Sequence, residues 1–284
     1  MGPILCPIDF SPGSLNAANY ASGLAHSLKA KLIIVHVFEP TLSIPEMALP
    51  DLTDTETLLL ESVEKKIKAI EQKLKKQFTG LRSETVILRG IAPDELISMV
   101  RKQTPELVIL GATGTSKLMR LMMGSNTSRI IREVNCPVLS VPKQATFKGI
   151  HKIVFATDLH DDNIRSAMMI SEFAKIFDAE IAFLFVDDKH VLHSDDWVEE
   201  MTGKIRRRVK YPKLSGYVVK NPSVIKGIDF FTKKFSADLL VMFTHPKHFP
   251  ESLYHSSLTQ MTSHQSQVPL LALKKEDIPL NVKK

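Results

Sequence analysis

Two regimes of apolar and polar positions alternate along this chain. Short unbroken apolar runs, such as Pro3 to Ile8 and Leu32 to Phe38, suit strands buried on both faces. Between them apolar residues recur at helical spacing, as with Leu15, Ala18, Ala25 and Leu28 on one side of 14–29. The pattern predicts strands over 3–8, 32–38, 84–88, 107–110 and 137–141. It predicts helices over 14–29, from an Asp54 or Thr55 cap to about Phe78, from Pro93 through Val100, and over 125–133. Residues 39–53 carry three prolines and no clear period, which reads as a long loop. Strands alternating with helices make right-handed crossovers and a parallel sheet covered on both faces.

The pattern then restarts. Ile153 to Asp158 repeats Ile4 to Asp9, and Ile181 to Val186 repeats Leu32 to Val37 at the same offset. Asp238 to Phe243 lies over Glu106 to Gly111, and Pro269-Leu-Leu over Pro137-Val-Leu. This reads as a tandem duplication, and 284 residues suffice for two domains with their own cores. The expected domains are 1–144 and 149–276, joined near Lys143 to Gly149 and followed by a tail at 277–284.

Composition changes this picture little. The chain is 44% apolar and 24% charged, with a net charge of +6 shared evenly by the halves, so nothing in it forces a nucleic-acid partner. The basic run Lys204, Arg206, Arg207, Arg208 and Lys210 reads as a solvated helix end. The two cysteines, Cys6 and Cys136, lack metal or redox spacing, which suits a reducing compartment. With a first strand close to Met1 and no apolar run of about 18 residues, the expectation is a cytoplasmic chain without membrane contact. His245-x2-His248, His255 and His264, like His190-x2-His193, have no Cys or acidic partner at diagnostic spacing, so no metal site is expected.

The informative stretch is Gly111-Ala-Thr-Gly114, followed after nine residues by Gly124-Ser125-Asn126-Thr127. It comes after the apolar run Leu107 to Leu110 and opens onto a helical pattern. Strand, glycine turn and helix N-terminus present bare N–H groups to a phosphate, with hydroxyl donors where the dipole favours an anion. The spacing fits neither Gly-Lys-Ser/Thr phosphate loops nor the G-x-G-x-x-G fingerprint. It resembles the G-x2-G-x9-G-(S/T) signature of ATP-binding universal stress proteins, which Gly111, Gly114, Gly124 and Ser125 match without a gap.

That resemblance covers nearly the whole chain, strongly in the first half and at the level of pattern in the second. It implies an adenine-nucleotide alpha-hydrolase-like α/β fold: two tandem open parallel five-stranded sheets in the order 3-2-1-4-5, with helices on both faces. It implies that Asp9 accepts a hydrogen bond from the ribose hydroxyls, that Pro7 and Ile8 line the adenine pocket beside the end of Leu110, and that the Val37 backbone meets the adenine edge. Gly111, Gly114, Gly124, Ser125, Asn126 and Thr127 would hold the phosphates of ATP, with or without Mg. Read from the residues alone, Asp9 also suits a cap for the first helix, and both roles can hold at once.

The second half keeps Asp158 but has Phe243, Pro246 and Ser256 where the first has Gly111, Gly114 and Gly124; only Ser257 survives. A ring blocks phosphate approach and proline removes an N–H, so one ATP per chain is expected. The halves are expected to pair as a pseudo-dimer through their last strands, with homodimerisation of the whole chain left open and a protein partner of unknown identity. The expected role is a stress-response protein in which ATP occupancy, not rapid turnover, is the signal, reported by the segment Lys117 to Met123. Slow ATP hydrolysis is one alternative, and a metabolite- or lipid-binding second half the other. No catalytic residue is assigned.

Overall fold

The structure, a computed structural model, describes residues 1–39, 52–112, 129–131, 133–157, 163–188, 195–244 and 268–274. The first half contributes β1 (Ile4–Pro7), α1 (Pro12–Ser27), β2 (Lys31–Phe38), α2 (Leu52–Gln77), β3 (Arg82–Arg89), α3 (Ala92–Gln103), β4 (Leu107–Gly111) and β5 (Val138–Val141). The second contributes β6 (Lys152–Ala156), α4 (Asn163–Phe177), β7 (Glu180–Asp187), α5 (Asp195–Val209), β8 (Leu214–Lys220), α6 (Val224–Phe235), β9 (Leu239–Thr244) and β10 (Leu270–Lys274).

All ten strands form one sheet in the order β3-β2-β1-β4-β5-β10-β9-β6-β7-β8. The expected order 3-2-1-4-5 is thus present twice, and the two sets meet edge to edge. The meeting is antiparallel, Leu270 opposite Ser140 and Leu271 opposite Leu139, whereas pairs such as β1–β2, β1–β4 and β6–β9 are parallel. The carboxyl ends of the first five strands therefore lie on one rim of the sheet and those of the second five on the opposite rim.

Apolar runs become central strands because helices cover both faces. On one face a single core spans both halves, joining Leu24 and Ile34 to Phe155, Phe173 and Phe183. On the other face α3 and residues 130–134 cover the first half, while α6 covers the second. The segment read as a linker belongs to this packing. Asn16 Nδ2 donates to the carbonyls of Pro142 and Ala145 at 2.9 and 2.8 Å. Phe147 stands edge-on to Tyr20 of α1 at 5.2 Å and to Phe177 of α4 at 6.3 Å. Gly23 makes room for it, since a Cβ there would lie 2.6 Å from the Phe147 ring.

Element ends differ from the sequence pattern in identifiable ways. The first helix begins at Pro12 because Ser11 is its cap, its hydroxyl accepting from Ser14 N. The second already runs at Leu52, so Asp54 and Thr55 lie inside the helix rather than at its cap. Arg206, Arg207 and Arg208 of the basic run fall in the last turn of α5; Arg206 binds the Leu214 carbonyl and Glu199, and Lys204, earlier in the helix, binds Glu200. Among the described residues no helix is long and apolar enough to cross a membrane.

Candidate functional site

The first rim is built where β1 and β4 end side by side. Their pairing, Ile4 with Leu107 and Leu5 with Val108, brings the Pro7–Asp9 turn next to Gly111. The close approach is real: a Cβ on Gly111 would lie 2.8 Å from the Gly13 carbonyl group and 3.0 Å from Ser14 N. Gly111 is therefore required by the seating of α1 against the end of β4, a reason different from the ligand approach read from the motif. Beyond it, Ala112 N donates to Val141 O at 2.8 Å, so the pairing with β5 continues to Ala112. Leu110 is buried in the core beneath α3.

Asp9 occupies the open end of β1 with an exposed side chain. Its Oδ1 accepts from Ser11 N at 2.9 Å, and its own N–H donates to Ser14 Oγ at 3.2 Å. Burial pulls the Asp9 carboxyl upward, but hydrogen bonds from Ser11 and Ser14 outweigh it and hold the group below its ordinary range. The helix is capped by Ser11, not by Asp9 as the alternative reading had it: Ser11 is one residue from Pro12, and Asp9 instead closes an Asx-type turn onto Ser11. The carboxylate is thus ionised, oriented and facing solvent.

Val37 is placed by strand alternation. Ile8 N donates to Val35 O at 2.7 Å, so the polar groups of Val35 point toward β1, and those of Val37, two residues on, point the same way. β1 has ended by then: its last paired residue is Pro7, opposite Val35. The Val37 backbone consequently faces the space beyond the end of β1.

Two residues of this site carry no motif signal. His36 Nδ1 lies 2.8 Å from Ile8 O, and its ring is 4.4 Å from that of Phe10, which holds φ at +62°. The available cue was a single polar residue in the apolar run Leu32 to Phe38. Cys6, directly beneath, is fully buried, and burial pushes its thiol up to about 12, so it is no nucleophile.

Gly114, Gly124, Ser125, Asn126, Thr127 and the segment Lys117 to Met123 lie outside the described residues. The helix they lead into is tied down at Arg129, which binds Asp94 at 2.5 Å and Glu133 at 2.9 Å. Asp94 is in the first turn of α3, so the two helices flanking a cleft of about 350 Å³ are clamped together.

The second rim repeats the scaffold with other chemistry. Asn221 N donates to Asp187 O at 3.2 Å as Gly90 N does to Phe38 O at 3.1 Å. Where the first half has Phe38, the second has Asp187, buried and with no hydrogen-bond partner for Oδ2 among the described residues. Asp158, Pro246, Ser256, Ser257 and the histidines at 190, 193, 245, 248, 255 and 264 lie outside the described residues. Among the described residues no three His, Cys, Asp or Glu side chains come together as a metal site would need.

A sheet ordered 3-2-1-4-5, with its crevice at the reversal between strands one and four, defines a doubly wound α/β class of fold. Residues 1–142 match the family model described as the universal stress protein family, and the chain belongs to that family. A universal stress protein of Methanocaldococcus jannaschii is 30% identical over 142 residues, 49% of this chain and 81% of that one. One from Thermus aquaticus is 28% identical over 140 residues, 49% of this chain and 96% of its own length. Over the whole molecule, a universal stress protein structure from Archaeoglobus fulgidus superposes with a TM-score of 0.70. It covers 96% of both chains at 15% identity, a likeness of fold.

Proposed function

We propose that this chain is a cytoplasmic, nucleotide-dependent regulatory protein of the stress response that binds one ATP in its first half. The observation that carries the reading is the Ile8–Ser14 turn. It sets an ionised Asp9 past the end of β1, across from the Val37 position of β2 and next to the β4 end that leads into the glycine motif. A carboxylate accepts from ribose hydroxyls, a backbone edge pairs with a purine edge, and the glycine motif with Ser125 to Thr127 offers donors to phosphates. Pro7 and Ile8 would wall the base, and Mg would add positive charge at the phosphates, where the cradle supplies mostly neutral donors.

In this reading residues 1–144 form the nucleotide domain and 149–276 a degenerate tandem copy, with 277–284 as a tail. The second copy serves as an internal partner: β10 occupies the β5 edge that another chain would otherwise fill. Occupancy rather than rapid turnover is the output. Phosphoryl transfer needs concentrated positive charge and a group aiming the attacking oxygen, and Asp9 is committed to the ribose. Denaturing extraction of the purified protein tests the proposal: adenine nucleotide near one per chain supports it, and none released or regained after incubation with ATP contradicts it.

A further inference from the structure

The turn after β1 is fixed by a residue of the neighbouring strand. β2 brackets the Ile8 peptide: its N–H donates to Val35 O at 2.7 Å, and its carbonyl faces His36 Nδ1 at 2.8 Å. A carbonyl only accepts, so Nδ1 is the donor and carries the proton. The same ring supports Phe10, 4.4 Å away and tilted by 40°. Phe10 needs that support, because φ of +62° is an uncommon conformation for a bulky residue. Asp9 lies between these two anchored residues, with its own carboxylate tied to Ser11 N.

The second half shows what the scaffold does without this contact. Thr157 N donates to Leu184 O at 3.0 Å, matching Ile8 N to Val35 O. The position matching His36 is Phe185, which has no ring nitrogen to offer a carbonyl. The strand-to-strand bond is therefore general to the fold, while a histidine at this strand position belongs to the half that carries the intact glycine motif. A scaffolding role alone would call for it in both halves.

We infer that His36 is the positioning residue of the nucleotide site, holding the Ile8–Phe10 backbone so that Asp9 meets the ribose hydroxyls. This rests on the nucleotide reading above. An unanchored turn would have to be ordered by the ligand at the expense of affinity, whereas an anchored one is ready beforehand. The group that reports the difference is the sugar: only hydroxyls addressed by Asp9 depend on where His36 holds it.

The test is calorimetric titration of the full chain and of His36→Asn, His36→Gln and His36→Leu with ATP and with 2′,3′-dideoxy-ATP. The asparagine amide nitrogen falls near the place of Nδ1, and the glutamine amide nitrogen near that of Nε2. Wild type and His36→Asn should prefer ATP to the dideoxy analogue. His36→Gln and His36→Leu should bind ATP about tenfold more weakly, as for one lost hydrogen bond, and bind the analogue as wild type does. Loss of mere bulk would instead favour glutamine over asparagine, which makes that contrast decisive even where the leucine variant fails to fold. Glutamine preserving the preference as well as asparagine, or leucine preserving it at all, overturns the inference alone. A wild-type chain that binds neither nucleotide overturns the nucleotide reading together with it.

Discussion

At Gly111 two backbones come closer than a side chain allows, with the Gly13 carbonyl group 2.8 Å from where a Cβ would stand. Gly111→Ala should therefore push α1 off the end of β4 and cost about 1–3 kcal/mol, as overpacking does. Urea unfolding reads this as a lower midpoint with unchanged slope, and an unaltered midpoint would contradict it. Asp9 gives a pH-dependent counterpart. Its folded value lies below the ordinary carboxyl range, so the stability it contributes is complete above about pH 5 and lost as pH falls through the folded value. The stability gap between wild type and Asp9→Asn should accordingly narrow on acidification toward pH 3; a gap that widens there would mean the shift has the opposite sign. The glycine and the aspartate were both legible in the sequence, one from motif spacing and one from its place at a strand end. Why the glycine is needed was not, because the Gly13 backbone that excludes a Cβ belongs to another element. His36 was missed for a related reason: its partner, Ile8 O, is a backbone atom on another strand.

Elements were read well where burial alone decides them. β1, β4 and β5 are almost wholly buried, so unbroken apolar runs marked them, while their order came with the family resemblance and not from the runs themselves. Ends were read less well, because caps depend on a single side-chain bond. Ser11, not Asp9 or Ser14, starts α1, and Ser11→Ala should lower stability by about 1 kcal/mol. Chemical denaturation checks this; a loss within error of zero would return the capping role to Asp9. α3 shows the opposite case, since its cap residue Ile91 makes no side-chain bond. The N–H of Ala92 is met instead by Glu39 Oε1 at 3.0 Å, from the end of β2, a contact that no local pattern encodes.

For the whole molecule, the repeat in the sequence announced two sheets, and the structure joins them into one through β5 and β10. The antiparallel seam places the carboxyl ends of the two sets of strands on opposite rims of the sheet. The wedge of Phe147 between Tyr20 and Phe177 was not legible, because its segment has the polar, aperiodic look of a linker. Residues 1–144 expressed alone would lack both that wedge and the strand covering Val138 to Val141. They should self-associate through the exposed edge, which sedimentation would detect; a soluble monomer at all concentrations would contradict the account. Isothermal titration of the full chain with ATP probes the proposed single nucleotide site in the first half. The expected stoichiometry is near one, abolished by Asp9→Ala or Gly124→Val while the fold persists. Two equivalent sites, or unchanged binding in both folded variants, would contradict it.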